Sequence, residues 1–91
     1  MTKVDLTLVS KSLFKLPNHI VLKLYRWGDG VEKEGIEAVR KIPGYHDEPL
    51  KGKLHGFRSI RLSRSYRAIY SEHTTDQFEL IQVEEINKHE Y

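Results

Sequence analysis

The chain shows two kinds of hydrophobic periodicity, and the first has a helical spacing. Between residues 17 and 41, apolar side chains recur every three or four positions, which predicts helices at about 17–27 and 31–41. Gly28-Asp29-Gly30 is expected to break the helix, and Pro43-Gly44 to end the second one. The residues predicted to face the core are Ile20, Val21, Leu24, Trp27, Val31, Ile36 and Val39.

A shorter pattern precedes these helices. Apolar and polar residues alternate over 4–9, which predicts a short strand at an edge of the sheet. Ser10 is then expected to cap a turn of helix through Leu13 and Phe14. Phe14 is predicted to lie in the core.

After residue 45 the period changes to two. Residues 45–53 carry turn-forming residues and are predicted to be a loop. Alternation then predicts three strands, at 56–62, 66–71 and 78–85, and their short connections make them antiparallel neighbours. The chain is therefore predicted to be a single α+β domain over residues 1–91. Two N-terminal helices would pack on one face of a twisted antiparallel sheet and leave the other face open.

The alternation also sorts the arginines between the two faces of the sheet. Arg61 shares a face with Phe57 and Ser59, whereas Arg58 shares a face with Ile60 and Leu62. In the next strand, Arg67, Ile69 and Ser71 lie opposite to Tyr66, Ala68 and Tyr70. The pattern leaves open which face the helices cover. Tyr66 and Tyr70 are interpreted as packing residues.

The composition excludes several classes of protein. Hydrophobic residues make up 38% and charged residues 31% of the 91, which is typical of a globular domain. The absence of cysteine excludes disulfide scaffolds, thiolate zinc sites and cysteine nucleophiles. No apolar stretch predicts a membrane span or a signal peptide, so a cytoplasmic protein is expected. The five histidines lack metal-ligand spacing, and neither a phosphate-binding glycine loop nor a serine elbow occurs.

Positive charge is concentrated in one short segment. Residues 51–67 carry six basic residues and no acid, whereas residues 68–91 carry one Lys and six acids. Such a patch attracts phosphate, although a solvated strand face paired with neighbouring acids is the alternative. The six basic residues are Lys51, Lys53, Arg58, Arg61, Arg64 and Arg67.

Three further residues carry proton-transfer or stacking chemistry. Glu48 precedes the patch, and a carboxylate beside arginines can act as a general base near phosphate. His89 is suited to donate a proton at neutral pH, and Tyr91 can stack on a base. The structural alternatives are a solvated loop and a terminal tail without a role.

The segment from Glu48 to Phe57 (Glu-Pro-Leu-Lys-Gly-Lys-Leu-His-Gly-Phe), with Ser59, Arg61 and the run Tyr66 to Tyr70, resembles the RelE/ParE superfamily of bacterial toxins. It is especially similar to the YoeB branch, in which an acid-Pro-Leu-Lys-Gly loop leads into Gly-Phe and a strand with spaced arginines. The detailed match covers about 48–70 and the last few residues, and the helical half fits only in layout. The ending His89-Glu90-Tyr91 resembles the His and Tyr ending of that branch, although Glu90 separates two residues that are usually adjacent.

The resemblance implies a ribosome-dependent endoribonuclease that cuts mRNA in the ribosomal A site without a metal or cofactor. It implies that Glu48 is the general base and that Arg61 and Arg67 bind phosphate. It implies that His89 is the general acid and Tyr91 the stacking aromatic, with the acid's position open between the two. Lys51 and Lys53 would be auxiliary phosphate contacts, and Arg58 and Arg64 would contact ribosomal RNA or simply lie on the surface.

The resemblance also implies partners. A cognate acidic antitoxin would cover the open basic face, and the pair would bind operator DNA mainly through the antitoxin. Three alternatives remain: a ParE-like inhibitor of DNA gyrase, a nucleic-acid-binding protein without chemistry, and a degenerate toxin that only pairs with its antitoxin. Because ParE-like members generally lack the acid, arginine and histidine set, Glu48, Arg67 and His89 argue against the first.

Overall fold

A five-stranded sheet organises residues 1–88, which are the residues that the computed structural model describes. The strands are β1 (Thr2–Asp5), β2 (Glu48–Pro49), β3 (Arg58–Arg61), β4 (Tyr66–Thr74) and β5 (Glu79–Lys88). The helices are α1 (Ser10–Leu13), α2 (Asn18–Glu34) and α3 (Ile36–Arg40). Short 3₁₀ turns occupy Thr7–Val9, Pro43–Tyr45 and Gly52–Leu54.

The strand order across the sheet is β1-β5-β4-β3-β2. Strands β3, β4 and β5 are sequential antiparallel neighbours, as predicted. Strand β1 lies at an edge, also as predicted, but it pairs with β5 in parallel, with Val4 opposite Ile81. The sheet is therefore mixed and not wholly antiparallel. The sequence did not predict this, because the period of a short strand gives its faces but not its direction.

The segment 45–53, predicted to be a loop, contributes the second edge strand. Glu48 pairs with Ser59 and Pro49 with Arg58, so β2 is antiparallel to β3. The strand has two residues, too few for an alternating pattern to be visible in the sequence. Strand β1 also differs from its predicted range of 4–9, because a 3₁₀ turn begins at Thr7, whose N–H donates to Asp5 Oδ1 at 2.8 Å.

The predicted helix break at Gly28-Asp29-Gly30 is wrong, because α2 continues through these residues to Glu34. Gly28 is buried against β1, where an added Cβ would lie 3.6 Å from Val4 Cγ1. A glycine costs a helix about 1 kcal/mol relative to alanine, and the packing of α2 on the sheet outweighs that. The break lies instead at Gly35, whose φ of 86° no helix accommodates.

The core lies between the helices and one face of the sheet. Trp27 and Leu24 of α2 are fully buried, as predicted, and the Trp27 ring packs on Tyr70 of β4 with centroids 5.3 Å apart. The prediction for Phe14 is wrong, since its side chain is 92% exposed. Helix α1 is a single turn that directs Leu13 toward the core in place of Phe14. None of the helices within residues 1–88 has the length and apolar character to cross a membrane.

Candidate active site on the open sheet face

The core contacts decide which face of the sheet is open. Ile60, Ala68 and Tyr70 lie in the core beneath the helices. Because side chains alternate along a strand, Arg61 and Arg67 lie on the opposite face, together with Ser59 and Ile69. The arginines on this face were predicted to be the phosphate ligands.

Arg67 is the centre of the polar contacts on this face. Its Nη2 donates to Glu48 Oε1 at 2.9 Å and to Ser59 Oγ at 2.6 Å. The Arg67 side chain is 17% exposed and that of Glu48 is 48% exposed, so the ion pair is accessible from solvent. The fold therefore brings together an arginine and a carboxylate that are 19 residues apart in sequence.

The register of the sheet places a second arginine directly beside the first. Arg61 on β3 is opposite Arg67 on β4, and Asn87 on β5 is opposite Arg67 on its other side. Like charges that face each other across a strand pair are destabilising. Within residues 1–88, no carboxylate forms an ion pair with Arg61. A bound anion between the two arginines would relieve this repulsion.

A cleft of about 310 Å³ opens beside the Arg67–Glu48 pair. Its lining combines polar and apolar side chains, which suits a ligand with both a charged and an apolar part. The lining residues are Glu48, Leu50, Leu54, Ser59, Arg67, Ile69 and Asn87.

The other predicted site residues lie at varied distances from this cleft. Lys51 and Lys53 are exposed in the segment between Leu50 and Leu54, two residues that line it. Arg64 is exposed in the turn between β3 and β4 and does not line the cleft. The predictions for His89 and Tyr91 concern residues outside those that the structure describes.

Arg58 lies on the other face of the sheet, in a cluster that the sequence did not predict. Its Nε donates to Asp47 Oδ1 at 2.6 Å, and the Tyr70 hydroxyl donates to Asp47 Oδ2 at 2.5 Å. The Asp47 side chain is fully buried. Arg40 of α3 adds a long ion pair, with Nε 3.9 Å from Asp47 Oδ1, and a salt bridge to Glu72.

One signal for this cluster was present in the sequence. Arg58 shares its strand face with Ile60 and Leu62, so an arginine on the buried face requires an acidic partner. Which acid supplies it depends on long-range packing.

The contacts of this cluster shift the pKa of two of its members. Burial raises the pKa of Tyr70 above its ordinary value of 10.0, and the hydrogen bond and charge of Asp47 raise it further, against the opposing effect of Arg40. Burial opposes the charged form of Arg58, but the hydrogen bond and charge of Asp47 outweigh it and raise the pKa of Arg58. Tyr70 therefore remains a hydrogen-bond donor, and Arg58 a cation, throughout the physiological range.

A histidine that the sequence did not single out lies at the rim of the site. His46 Nε2 is 3.8 Å from Glu48 Oε2, and His46 has a left-handed backbone with φ of 47°. Within residues 1–88, no three His, Asp or Glu side chains form a group that could hold a metal ion.

Comparisons with solved structures identify the fold. No protein-family model matches the chain, and no curated protein matches it. Solved structures of bacterial toxins match over nearly the whole chain, so the chain has the RelE/ParE toxin fold that the resemblance implied.

Three of these structures show the range of relatives. A YoeB/ParE toxin from Agrobacterium tumefaciens is 19% identical, with a TM-score of 0.61 and 98% of each chain covered. YafQ from E. coli is 16% identical, with a TM-score of 0.64, covering 97% of this chain and 91% of YafQ. The YoeB–YefM complex from Staphylococcus aureus is 20% identical, with a TM-score of 0.63, covering 99% of this chain and 97% of the matched chain.

Proposed function

We propose that this protein is the toxin of a bacterial toxin–antitoxin system and that it cuts mRNA on the ribosome as an endoribonuclease. One observation carries the proposal. On the open sheet face, the Glu48 carboxylate lies 2.9 Å from Arg67, and Arg61 is opposite Arg67 on the neighbouring strand. A carboxylate and an arginine thus line one cleft, and a second arginine lies on the neighbouring strand.

The first step is binding of the scissile phosphate. Its oxygens take the donors of Arg67 and Arg61, which relieves the repulsion between the two arginines. In the free protein Arg67 is paired with Glu48. A phosphate that takes over Arg67 releases a Glu48 oxygen for the ribose 2′-hydroxyl.

The reaction then proceeds by transfer of two protons. Glu48 removes the proton from the 2′-hydroxyl, and the resulting alkoxide attacks the adjacent phosphorus. Arg67 and Arg61 stabilise the negative charge that develops on the phosphorane oxygens. The bond from phosphorus to the 5′-oxygen breaks, which leaves a 2′,3′-cyclic phosphate and a 5′-hydroxyl end.

The leaving 5′-oxygen requires a proton from a general acid. We assign this role to His89, with Tyr91 as the alternative donor or as a stacking partner for a base. His89 follows two residues after Asn87, which lines the cleft. General acid–base groups each contribute roughly 10²–10⁴-fold in rate, so positioning of the RNA must supply much of the remainder. Ribosome dependence follows, because the ribosome holds the mRNA in place.

The same face suits the proposed protein partner. A cognate acidic antitoxin would cover the open face, and YoeB of S. aureus is solved in complex with YefM. Contacts with operator DNA would come mainly from the antitoxin. The exposed Lys51, Lys53 and Arg64 would contact the RNA backbone or the ribosome, whereas the Arg58 charge is already neutralised by Asp47.

Cell-free bacterial translation of a defined mRNA tests the proposal, with 5′ ends mapped by primer extension. We expect new ends inside codons only while translation proceeds. Arg67→Ala should lower cleavage by about 10²–10³-fold, because it removes a donor to the developing charge. Arg26→Ala removes an exposed arginine of α2 on the helical side and is the matched control, expected to cut as the wild type does.

Two results would contradict the proposal. Intact mRNA during continued translation would exclude the nuclease and make gyrase inhibition the next activity to measure. Efficient cutting of naked RNA by the purified protein would exclude ribosome dependence.

A further inference from the structure

Asp47 and Glu48 are adjacent in the chain, but their carboxylates serve different faces of the sheet. Glu48 contacts Arg67 on the open face. Asp47 is buried on the helix-covered side and receives hydrogen bonds from Arg58 Nε at 2.6 Å and from the Tyr70 hydroxyl at 2.5 Å. Both donors belong to central parts of the fold, since Arg58 lies on β3 and Tyr70 packs on Trp27.

The strand that carries Glu48 is weak by itself. Strand β2 has two residues at the edge of the sheet, and one of them is Pro49, which has no N–H to donate. Beyond the strand, the Leu50 N–H donates to Phe57 O at 2.9 Å. Backbone pairing therefore gives β2 few contacts, and a short edge segment of this kind opens easily.

We propose that Asp47 is a positioning residue that holds β2 against β3 and thereby fixes Glu48 beside Arg67. This inference rests on the proposed function, in which Glu48 is the base. Consecutive Cα atoms are about 3.8 Å apart, so a displacement of Asp47 is passed directly to Glu48. The buried carboxylate can move only by leaving both of its donors, which is costly for a charged group that is out of contact with solvent.

The attachment of β2 to β3 should depend on the charge of Asp47. An amide at this position cannot accept two strong hydrogen bonds through two oxygens, and it leaves Arg58 without a counter-ion. Asp47→Asn should therefore loosen β2 while the basic face, including Arg61 and Lys51, keeps its charge.

Kinetics on ribosomes that carry mRNA test this role. For Asp47→Asn we expect kcat to fall roughly 10- to 100-fold with KM changed less than about two-fold, because a displacement near 1 Å costs about 10² in rate. In a Glu48→Gln background, Asp47→Asn should lower kcat no further, because the two residues act through one group. An unchanged kcat, or an additional loss in the Glu48→Gln background, would overturn the proposal.

Hydrogen exchange separates failure of this inference from failure of the proposed function. In Asp47→Asn we expect the Leu50 amide to exchange at least about ten-fold faster, while the amides of β5 keep their protection. If the wild-type protein cuts no mRNA, the proposed function fails. Hydrogen exchange alone then tests whether Asp47 holds β2 against β3. Unchanged exchange at Leu50 would show that Asp47 does not hold β2.

A gentler variant keeps the test valid if Asp47→Asn does not fold. Tyr70→Phe removes one donor to Asp47 and leaves the ring packed on Trp27. Since a single hydrogen bond corresponds to a factor of about five to ten, kcat should fall by about that much, with KM again unchanged. A Tyr70→Phe protein with wild-type kcat and wild-type exchange at Leu50 would overturn the proposal.

Discussion

Two acidic residues next to each other in the chain each bind arginine, and the sheet separates their environments. Asp47 is fully buried, with donors from Arg58 and Tyr70. Glu48 is about half exposed, and its partner Arg67 also contacts Ser59 at the wall of a cleft. The Asp47 carboxylate is inaccessible to a ligand, whereas the Glu48 carboxylate is open to solvent and a ligand can displace it from Arg67.

The difference suits the Asp47 pair to a structural role and the Glu48 pair to the proposed catalytic role. Buried charges must remain paired, because an unpaired one loses its hydration without compensation. The Glu48 carboxylate is about half exposed and can regain hydration when it leaves Arg67, so a phosphate can replace it there at little cost. Mutations in either pair should therefore lower cleavage, but only those at Asp47 should also lower the stability of the fold.

Glu48→Gln should give the largest effect, and on activity alone. Loss of the proposed general base is expected to reduce mRNA cleavage by about 10²–10⁴-fold. The free energy of unfolding should stay within about 1 kcal/mol of wild type, because the Glu48 carboxylate is about half exposed. Primer extension and urea unfolding measure the two. Glu37→Gln, at an exposed acid of α3, is the matched control, and an equal loss of cleavage there would remove the special role of Glu48.

Asp47→Asn should lower the stability of the protein more than Glu48→Gln does. We expect a loss of about 3 kcal/mol in the free energy of unfolding, since the variant removes the counter-ion of Arg58 and an acceptor for Tyr70. Urea unfolding followed by circular dichroism measures it. If Asp47→Asn and Glu48→Gln were equally stable, the distinction between the buried and the open pair would be wrong.

The elements of the fold could be predicted where periodicity and burial agree. Trp27 and Leu24 follow from helical spacing, and the three C-terminal strands follow from alternation. The helix break predicted at Gly28 was wrong. The sequence shows the local cost of a glycine in a helix, but it does not show the close packing of Gly28 on Val4 that offsets this cost. The prediction for Phe14 was wrong as well, because the spacing within one helical turn does not show which side meets the core.

The sequence suggested residues for the candidate site but not the contacts between them. Glu48, Arg61 and Arg67 were selected from the sequence, and the register of β3 and β4 places the two arginines opposite each other. The Asp47 cluster was missed, because it joins β4 to α3 and to a loop, and no local pattern specifies such packing.

The pH dependence of the stability of Tyr70→Phe tests the hydrogen bond between Tyr70 and Asp47. Burial and the Asp47 carboxylate raise the pKa of Tyr70 above 10.0 in the folded protein, whereas the unfolded chain titrates near that value. The stabilisation from the protonated hydroxyl is therefore complete below pH 10 and is lost as the pH rises toward the folded pKa. Tyr70→Phe should cost about 1.5 kcal/mol near pH 7, and the gap from wild type should shrink above pH 10.

Urea unfolding at a series of pH values from neutral to alkaline measures this trend. Tyr25→Phe, which removes an exposed hydroxyl of α2, should follow the wild-type profile. A gap between wild type and Tyr70→Phe that stays constant above pH 10 would show that the Tyr70 hydroxyl is not held by Asp47.

Lys51→Ala should give the smallest effect of these variants. Comparison with Lys11→Ala tests whether RNA binds preferentially to the open face. Lys51 lies beside the cleft, whereas Lys11 is exposed on α1. If Lys51 contacts one phosphate, its removal lowers the slope of log affinity for single-stranded RNA against log salt by about 0.7. Lys11→Ala should leave that slope unchanged, as measured by titration at several salt concentrations. Equal effects of the two variants would mean that RNA is attracted by net charge, and that the open face confers no preference of its own.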